Sequence, residues 1–156
     1  VRAIAELIKI KNEHPWRGEA HQKNFTLHKI SLGGSTRTFL TKQGLTTESV
    51  LPKGNKVYLH NKIILKCGAD IHDKTEKIHP DNIALFQNIS RLCGAPLVGL
   101  DFICQDISLP YHQQECAVLE ANSLPYVDMH HYPVTGKPRN VAGLVMDYVL
   151  GDKGDK

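Results

Sequence analysis

The sequence predicts an α+β domain, an antiparallel sheet flanked by helices. Two strand-like apolar runs carry the sheet, residues 97–103 and 116–122. The loop between them holds Pro110, which suits a hairpin and disfavours the helix of a parallel crossover. Helical spacings lie on either side of the pair. At 156 residues, with 41% hydrophobic and 22% charged side chains, the chain is long enough for one globular domain with its own core.

In order, residues 2–13 place Ile4, Leu7 and Ile8 at helical spacing before His14-Pro15 ends the helix. Residues 15–19 read as a loop, and 20–30 are polar without a clear period. Gly33-Gly34 is a turn, after which Ser35 caps a short helix through Gln43 with Phe39 and Leu40 inward and Gly44 as its stop. Pro52-Lys53-Gly54-Asn55 is a second turn, leading into 56–65, whose β-branched and aromatic residues favour a strand. A polar loop, 68–77, precedes the clearest helix, opened by His79-Pro80-Asp81-Asn82, striped by Ile83, Phe86, Ile89 and Cys93, and closed by Gly94. After the two strands, a loop over 123–138 leads to a last amphipathic helix with Val141, Leu144, Val145 and Tyr148 inward. Residues 1–150 are thus expected to form the domain and 151–156 a charged tail or linker.

A net charge of +3 with nine histidines suits a small phosphate-bearing substrate, while no run of Lys or Arg makes a nucleic-acid patch. No apolar run has the length of a membrane span, and the N-terminus lacks a signal-peptide layout. Cys67, Cys93, Cys104 and Cys116 are widely spaced with no Cys-x-x-Cys pair, so a reduced, cytoplasmic protein is expected. Val1 and the uncapped first helix read as a cut through a longer protein. An interface bared by such a cut is compatible with self-association into a homo-oligomer.

The chemistry concentrates at the two strands. Glu120 and Asn122 stand two residues apart and so project to one strand face, and Asp101 joins them if the runs pair as antiparallel neighbours. Alone, Asp101 is an ordinary solvent-facing strand acid. Three hard oxygen donors on an apolar sheet make a poor core and a good Mg²⁺ site, with water and substrate phosphates filling the other positions. Held between these groups and ATP, the metal would neutralise charge as a phosphoryl group transfers.

These residues carry a resemblance. Leu119-Glu120-Ala121-Asn122-Ser123-Leu124-Pro125 followed by Met129-His130 resembles the Glu-x-Asn segment of ATP-grasp ligases, and within them the cyanophycin synthetase branch, which shares features with the ligase domain of bifunctional glutathione synthetases. Ala5-Glu6-Leu7-Ile8, Pro15-Trp16-Arg17-Gly18, Gln43-Gly44-Leu45-Thr46, Val57-Tyr58-Leu59, Ile78-His79-Pro80-Asp81-Asn82, Val98-Gly99-Leu100-Asp101-Phe102-Ile103 and Gly136-Lys137-Pro138-Arg139 resemble it in the same order. The resemblance implies the C-terminal subdomain of an ATP-grasp fold. It also implies Asp101 as ligand to one magnesium, Glu120 as a bridge between two and Asn122 as ligand to the second. The implied reaction consumes ATP: a carboxylate of an amino acid or peptide is phosphorylated, and an amine attacks the acyl phosphate to give an amide.

Two departures qualify that expectation. The family's upstream half, with its nucleotide lysines and glycine-rich phosphate loop, has no counterpart here, so the missing N-terminal half of the same chain is an expected partner and the fragment is expected to be inactive alone. Where the family has Asn-Leu-Ser-Thr-Gly-Gly, this chain reads Ile64-Leu65-Lys66-Cys67-Gly68-Ala69, and the glycines usual after Glu-x-Asn give way to Leu124 and Tyr126. Lys66 is a candidate phosphate contact in ATP binding and catalysis, against the commoner fate of a solvated surface lysine. Arg139 is a candidate catalytic cation that meets an anionic substrate, or else a cap on the last helix. His130 and Arg17 are candidate substrate contacts. Zinc at Asp128, His130, His131 and Cys67 or His72 lacks any recognised ligand spacing, and Cys67 beside Lys66 is the one cysteine placed for nucleophilic chemistry. The rival reading is an ATP-grasp remnant that binds a nucleotide or a partner without turnover.

Overall fold

The computed structural model describes residues 2–18 and 27–151, and these divide into two compact units, residues 1–71 and 72–156. The readings placed on Val1, on 19–26 and on 152–156 lie outside the described residues.

The first unit is built on α1 (Ile4–Asn12), a two-residue parallel ladder of β1 (Arg17–Gly18) with β2 (Leu27–His28), and α2 (Gly34–Thr41). Ile4 and Ile8, one turn apart on α1, meet Ile30 and Leu40 in its core, with Leu32, Leu45, Leu51, Val57 and Leu59 packed around them. Leu7, the third apolar residue of that spacing, is 45% exposed, because one face of a short helix suffices for a core this small. Asn12 closes the helix end like a strand partner: its Nδ2 donates to the Ile30 carbonyl at 2.9 Å and its Oδ1 accepts the Ile30 N–H at 2.8 Å. In α2 the N-cap is Gly33 rather than Ser35, with no side-chain cap, and Leu40 is fully buried as expected. Asn55 N–H donates to Pro52 O at 3.1 Å and Gly54 has φ 91°, so the predicted turn forms and uses glycine's left-handed freedom.

The strand expected over 56–65 does not form. A strand needs a ladder, and here the backbone of Tyr58 is met by a side chain instead: Gln43 Nε2 donates to Tyr58 O at 2.7 Å and Gln43 Oε1 accepts Tyr58 N–H at 3.4 Å. Val57 and Leu59 turn to the core while Ile63 is 95% exposed. Residues Leu65–Cys67 form a 3-10 turn ended by Gly68 at φ 87°, where a Cβ would run into Ile30.

The second unit holds α3 (Pro80–Cys93), the antiparallel pair β3 (Gly99–Cys104) and β4 (Cys116–Asn122), and α4 (Val141–Leu150). Helix α3 starts and stops as its sequence dictates, with the His79 ring accepting the Asp81 N–H, Pro80 in the first turn and Gly94 in the left-handed conformation. Phe86 on α3 meets Phe102 edge to face, ring centroids 5.1 Å apart. The rest of the expected stripe is only half covered, and Ile83 and Cys93 are exposed.

The fully buried α3 side chain is Asn82. Its Nδ2 donates to Ile107 O at 2.9 Å and Leu109 O at 2.8 Å, and its Oδ1 accepts the Tyr111 N–H at 2.7 Å. One amide thereby pins the connection between β3 and β4 to the helix. On α4, Leu144 and Tyr148, expected inward, are 69% and 68% exposed; with Val141, Val145 and Val149 they line an apolar groove against Pro96 and Leu97 that is open among the described residues. No helix among the described residues is long and apolar enough to cross a membrane, and all four cysteines are free thiols.

Candidate metal centre on the antiparallel pair

The register of β3 with β4 sets Asp101 directly opposite Glu120 and Gly99 opposite Asn122. Cross-strand partners share a face and residues two apart return to it, so Asp101, Glu120 and Asn122 emerge on one face. Between Asp101 and Phe102 the register shifts, because Phe102 pairs with Val118 and Leu119 is the extra residue of a bulge. The bulge separates the two faces. Val118 goes with Phe102 toward α3, while Glu120 turns to the other side with Asp101. Without it, Val118 and Glu120 would share a face and an apolar side chain would stand among the oxygens.

None of Asp101, Glu120 and Asn122 makes a side-chain hydrogen bond or ion pair among the described residues. Two carboxylates directly opposite each other disfavour the pairing, and no cation among the described residues pairs with either. The set fits a hard divalent cation: oxygen donors only, two charged and one neutral, uncommitted and on a rigid ladder. No group of three His, Cys, Asp or Glu suited to a metal occurs among the described residues, so the third donor here is an amide.

The chain then folds back over this face. A Cβ on Gly99 would point to the same side as Asn122 and would fall 2.6 Å from Pro125 Cβ. Gly99 is therefore required sterically, as the floor on which Pro125 rests. Beyond Pro125 comes the 3-10 turn Asp128–His130, whose His130 carbonyl accepts the Arg139 N–H at 2.8 Å. The His130 side chain is exposed beside this turn.

Arg139, expected to meet an anionic substrate or else to cap the last helix, is engaged by Asp73. Its Nη2 and Nε donate to the two oxygens of Asp73 at 2.8 and 3.3 Å. Asp73 also accepts from Thr75 and from the Lys137 N–H at 3.2 Å, and Gly136, at φ 93°, admits it with no room for a Cβ. The Arg139 guanidinium, then the Thr75 hydroxyl, hold the Asp73 carboxyl well below the usual carboxylate range. This clamp joins the 72–77 loop to the segment that carries the Asp128–His130 turn. Glu76, also lowered, pairs mainly with Lys137 at the exposed edge.

Arg17, expected as a substrate contact, is likewise engaged within the first unit. Its side chain is 1% exposed, its Nη1 donates to His28 O at 2.6 Å and Gly68 O at 3.1 Å, and its Nη2 pairs with Asp70, which Lys11 also contacts. It holds the first unit together. Lys66 stands exposed on the 3-10 turn of the same unit. The sequence offered Asn82 only as part of a helix start and Asp128 only as a zinc candidate, and it did not single out Asp73. For Asp73 the spacing Asp-x-Thr, a turn in which the acid caps the hydroxyl and N–H two residues on, was the available signal.

No family model matches the chain. It is 42% identical over 147 residues to the cyanophycin synthetase of Trichormus variabilis, covering 94% of this chain and 16% of that protein. To the glutathione biosynthesis bifunctional protein of Mannheimia succiniciproducens it is 36% identical over 151 residues, 93% of this chain and 20% of that one. Among solved structures, the bifunctional glutathione synthetase of Pasteurella multocida superposes with a TM-score of 0.86 at 32% identity, covering 97% of this chain and 21% of its own. The chain therefore spans about a sixth to a fifth of the length of these relatives.

Proposed function

This chain is homologous over nearly its whole length to the segment shared by cyanophycin synthetases and bifunctional glutathione synthetases, the C-terminal part of an ATP-grasp ligase domain, and we propose that it forms the metal-binding side of a carboxylate–amine ligase site. The observation that carries the proposal is the register that sets Asp101 against Glu120 with Asn122 on the same face.

In this reading Asp101, Glu120 and Asn122 hold Mg²⁺ together with the phosphates of ATP. The metal, when bound, supplies positive charge against the phosphates as the γ-phosphoryl group passes to a substrate carboxylate. The chain's own residues do the positioning. The Leu119 bulge turns Glu120 to Asp101's side, Phe102 of β3 packs behind the ladder on Phe86 of α3, and Pro125 on Gly99 fixes the returning chain above the donors. The substrate carboxylate takes the γ-phosphoryl group and ADP leaves; a neutral amine of an amino acid or peptide then attacks the acyl carbon, forming the C–N bond and releasing phosphate. The nucleotide-binding lysines and phosphate loop belong to the part of the ligase that this sequence does not contain.

The test is ADP release by the full-length protein with Mg²⁺, ATP and a panel of amino acids and dipeptides, beside Glu120→Gln. Acceptor-stimulated release that the variant loses by about 100-fold or more supports the ligase. If no acceptor stimulates release, and ATP–Mg²⁺ binds both proteins alike, the non-catalytic binding module replaces it.

A further inference from the structure

We propose that Cys104 and Cys116 are a redox-active thiol pair, which closes into a disulfide across the β3–β4 ladder by exchange with a low-molecular-weight disulfide such as glutathione disulfide. The proposal goes beyond the ligase reading and does not rest on it.

The carrying observation is the register. Cys104 and Cys116 are direct partners at the end of the ladder from which the 105–115 connection leaves. Opposed residues of an antiparallel pair stand about 4.5–5.5 Å apart at Cα, inside the roughly 4.4–6.8 Å that disulfides span. Side-chain direction agrees with this spacing. Cys104 lies two residues from Phe102 and Cys116 two from Val118, so both thiols project with those partners toward α3. They are therefore on the face opposite Asp101, Glu120 and Asn122, and a bond between them leaves the oxygen donors where they are.

The strand ends are held at this spacing. Gln114 Oε1 accepts the Gln105 N–H at 3.0 Å and the Asp106 N–H at 2.9 Å, while its Nε2 donates to Asp106 O at 2.7 Å. One amide side chain thus closes the loop just beyond the two cysteines. Both cysteines are free thiols and only half-buried, which leaves them open to a small reagent. Cys116 Sγ donates to Tyr111 O at 3.2 Å, a weak bond that is given up when sulfur bonds sulfur. Burial first, then the charges of Cys116 and Asp106, raises the Cys104 thiol from its ordinary value, and the influence of Cys116 is that of a close neighbour. No group of three His, Cys, Asp or Glu suited to a metal occurs among the described residues, so two sulfurs with no further ligand suit each other better than a zinc ion.

The exchange balances. One cysteine, as thiolate, attacks a sulfur of glutathione disulfide, expels one glutathione thiolate and is left as a mixed disulfide. The other cysteine, as thiolate, attacks the protein sulfur of that mixed disulfide, forms the Cys104–Cys116 bond and expels the second glutathione thiolate. The two protons lost by the protein thiols are taken up by the two leaving thiolates. The protein pair is oxidised by two electrons and glutathione disulfide is reduced by the same two.

The experiment equilibrates the full-length protein in glutathione redox buffers, quenches it in acid, alkylates the remaining thiols and maps the peptides by mass spectrometry, beside Cys104→Ser and Cys116→Ser. The parent should give a Cys104–Cys116 linked peptide about tenfold or more abundant than any other link to either cysteine, and dithiothreitol should remove it. Each Ser variant, lacking the second thiol, should hold glutathione on its remaining cysteine about tenfold or more above the parent's level at that position. Two free thiols in the parent under oxidising buffer, or glutathione on both cysteines without the link, overturns the proposal. The parent map decides by itself if a Ser variant fails to fold.

Discussion

Replacing Asn82 by Ala should destabilise the second unit by about 3–5 kcal/mol, and the structure says where that figure comes from. Asn82 is fully buried and makes three hydrogen bonds to the connection between β3 and β4. The two carbonyls it serves keep other donors: Ile107 O still accepts from His79 N–H at 3.0 Å and Leu109 O from Gln114 Nε2 at 2.8 Å. The Tyr111 N–H has no such reserve and is orphaned. The loss is two ordinary bonds at about 1 kcal/mol each plus one unsatisfied donor at about 1–3 kcal/mol. Asn82→Asp separates the contributions. It keeps an acceptor for Tyr111 but turns an oxygen toward two carbonyl oxygens, so near neutral pH it should be at least as unstable as Asn82→Ala and should recover part of the loss at acid pH, where a protonated acid can donate to one of them. Urea unfolding followed by circular dichroism measures both. A loss below about 1 kcal/mol in Asn82→Ala, or an Asp variant as stable as the parent near neutral pH, would refute the reasoning.

Two further outcomes follow from the same unit. The folded Asp73 carboxyl lies below its unfolded value of about 4, so the stability it contributes is complete above that pH and falls away as the pH drops below it. With both partners partly covered, Asp73→Asn should cost about 2 kcal/mol near pH 7, and the gap from the parent should narrow as urea titrations move from pH 5 toward pH 2; a pH-independent gap contradicts the clamp. Gly99→Ala should cost about 1–3 kcal/mol by overpacking against Pro125, although Gly99 needs no left-handed backbone, and a change within about 0.5 kcal/mol in the same assay would show that the returning chain does not rest there.

What was legible in the sequence was local or periodic. Helix α3 carried its own start in His79-Pro80 and its stop in Gly94, and both hold. The period of two in a strand was enough to place Glu120 with Asn122, and Asp101 joined them because antiparallel pairing leaves few registers that bury Phe102. The bulge at Leu119 was not legible, since an extra residue in one strand is defined by the strand opposite. The same limit explains residues 56–65: their β-branched composition is real, but a strand exists by its ladder, and Gln43 fills that place. Arg17 and Arg139 looked like free cations because their carboxylates stand 53 and 66 residues away along the chain. Asn82 looked like helix-opening polarity, yet its partners lie 25 to 29 residues on. The outward apolar side chains of α4 followed the helical period correctly, and only the covering surface could have said what lies opposite them.

The central claim is that Asp101, Glu120 and Asn122 act together on a divalent cation. Electron paramagnetic resonance of Mn²⁺, titrated into the full-length protein with and without ATP, tests it most directly. The account predicts a bound population that competes with Mg²⁺, strengthens with ATP, and weakens about tenfold or more in each of Asp101→Asn and Glu120→Gln. Equal Mn²⁺ binding by the parent and both variants would contradict it.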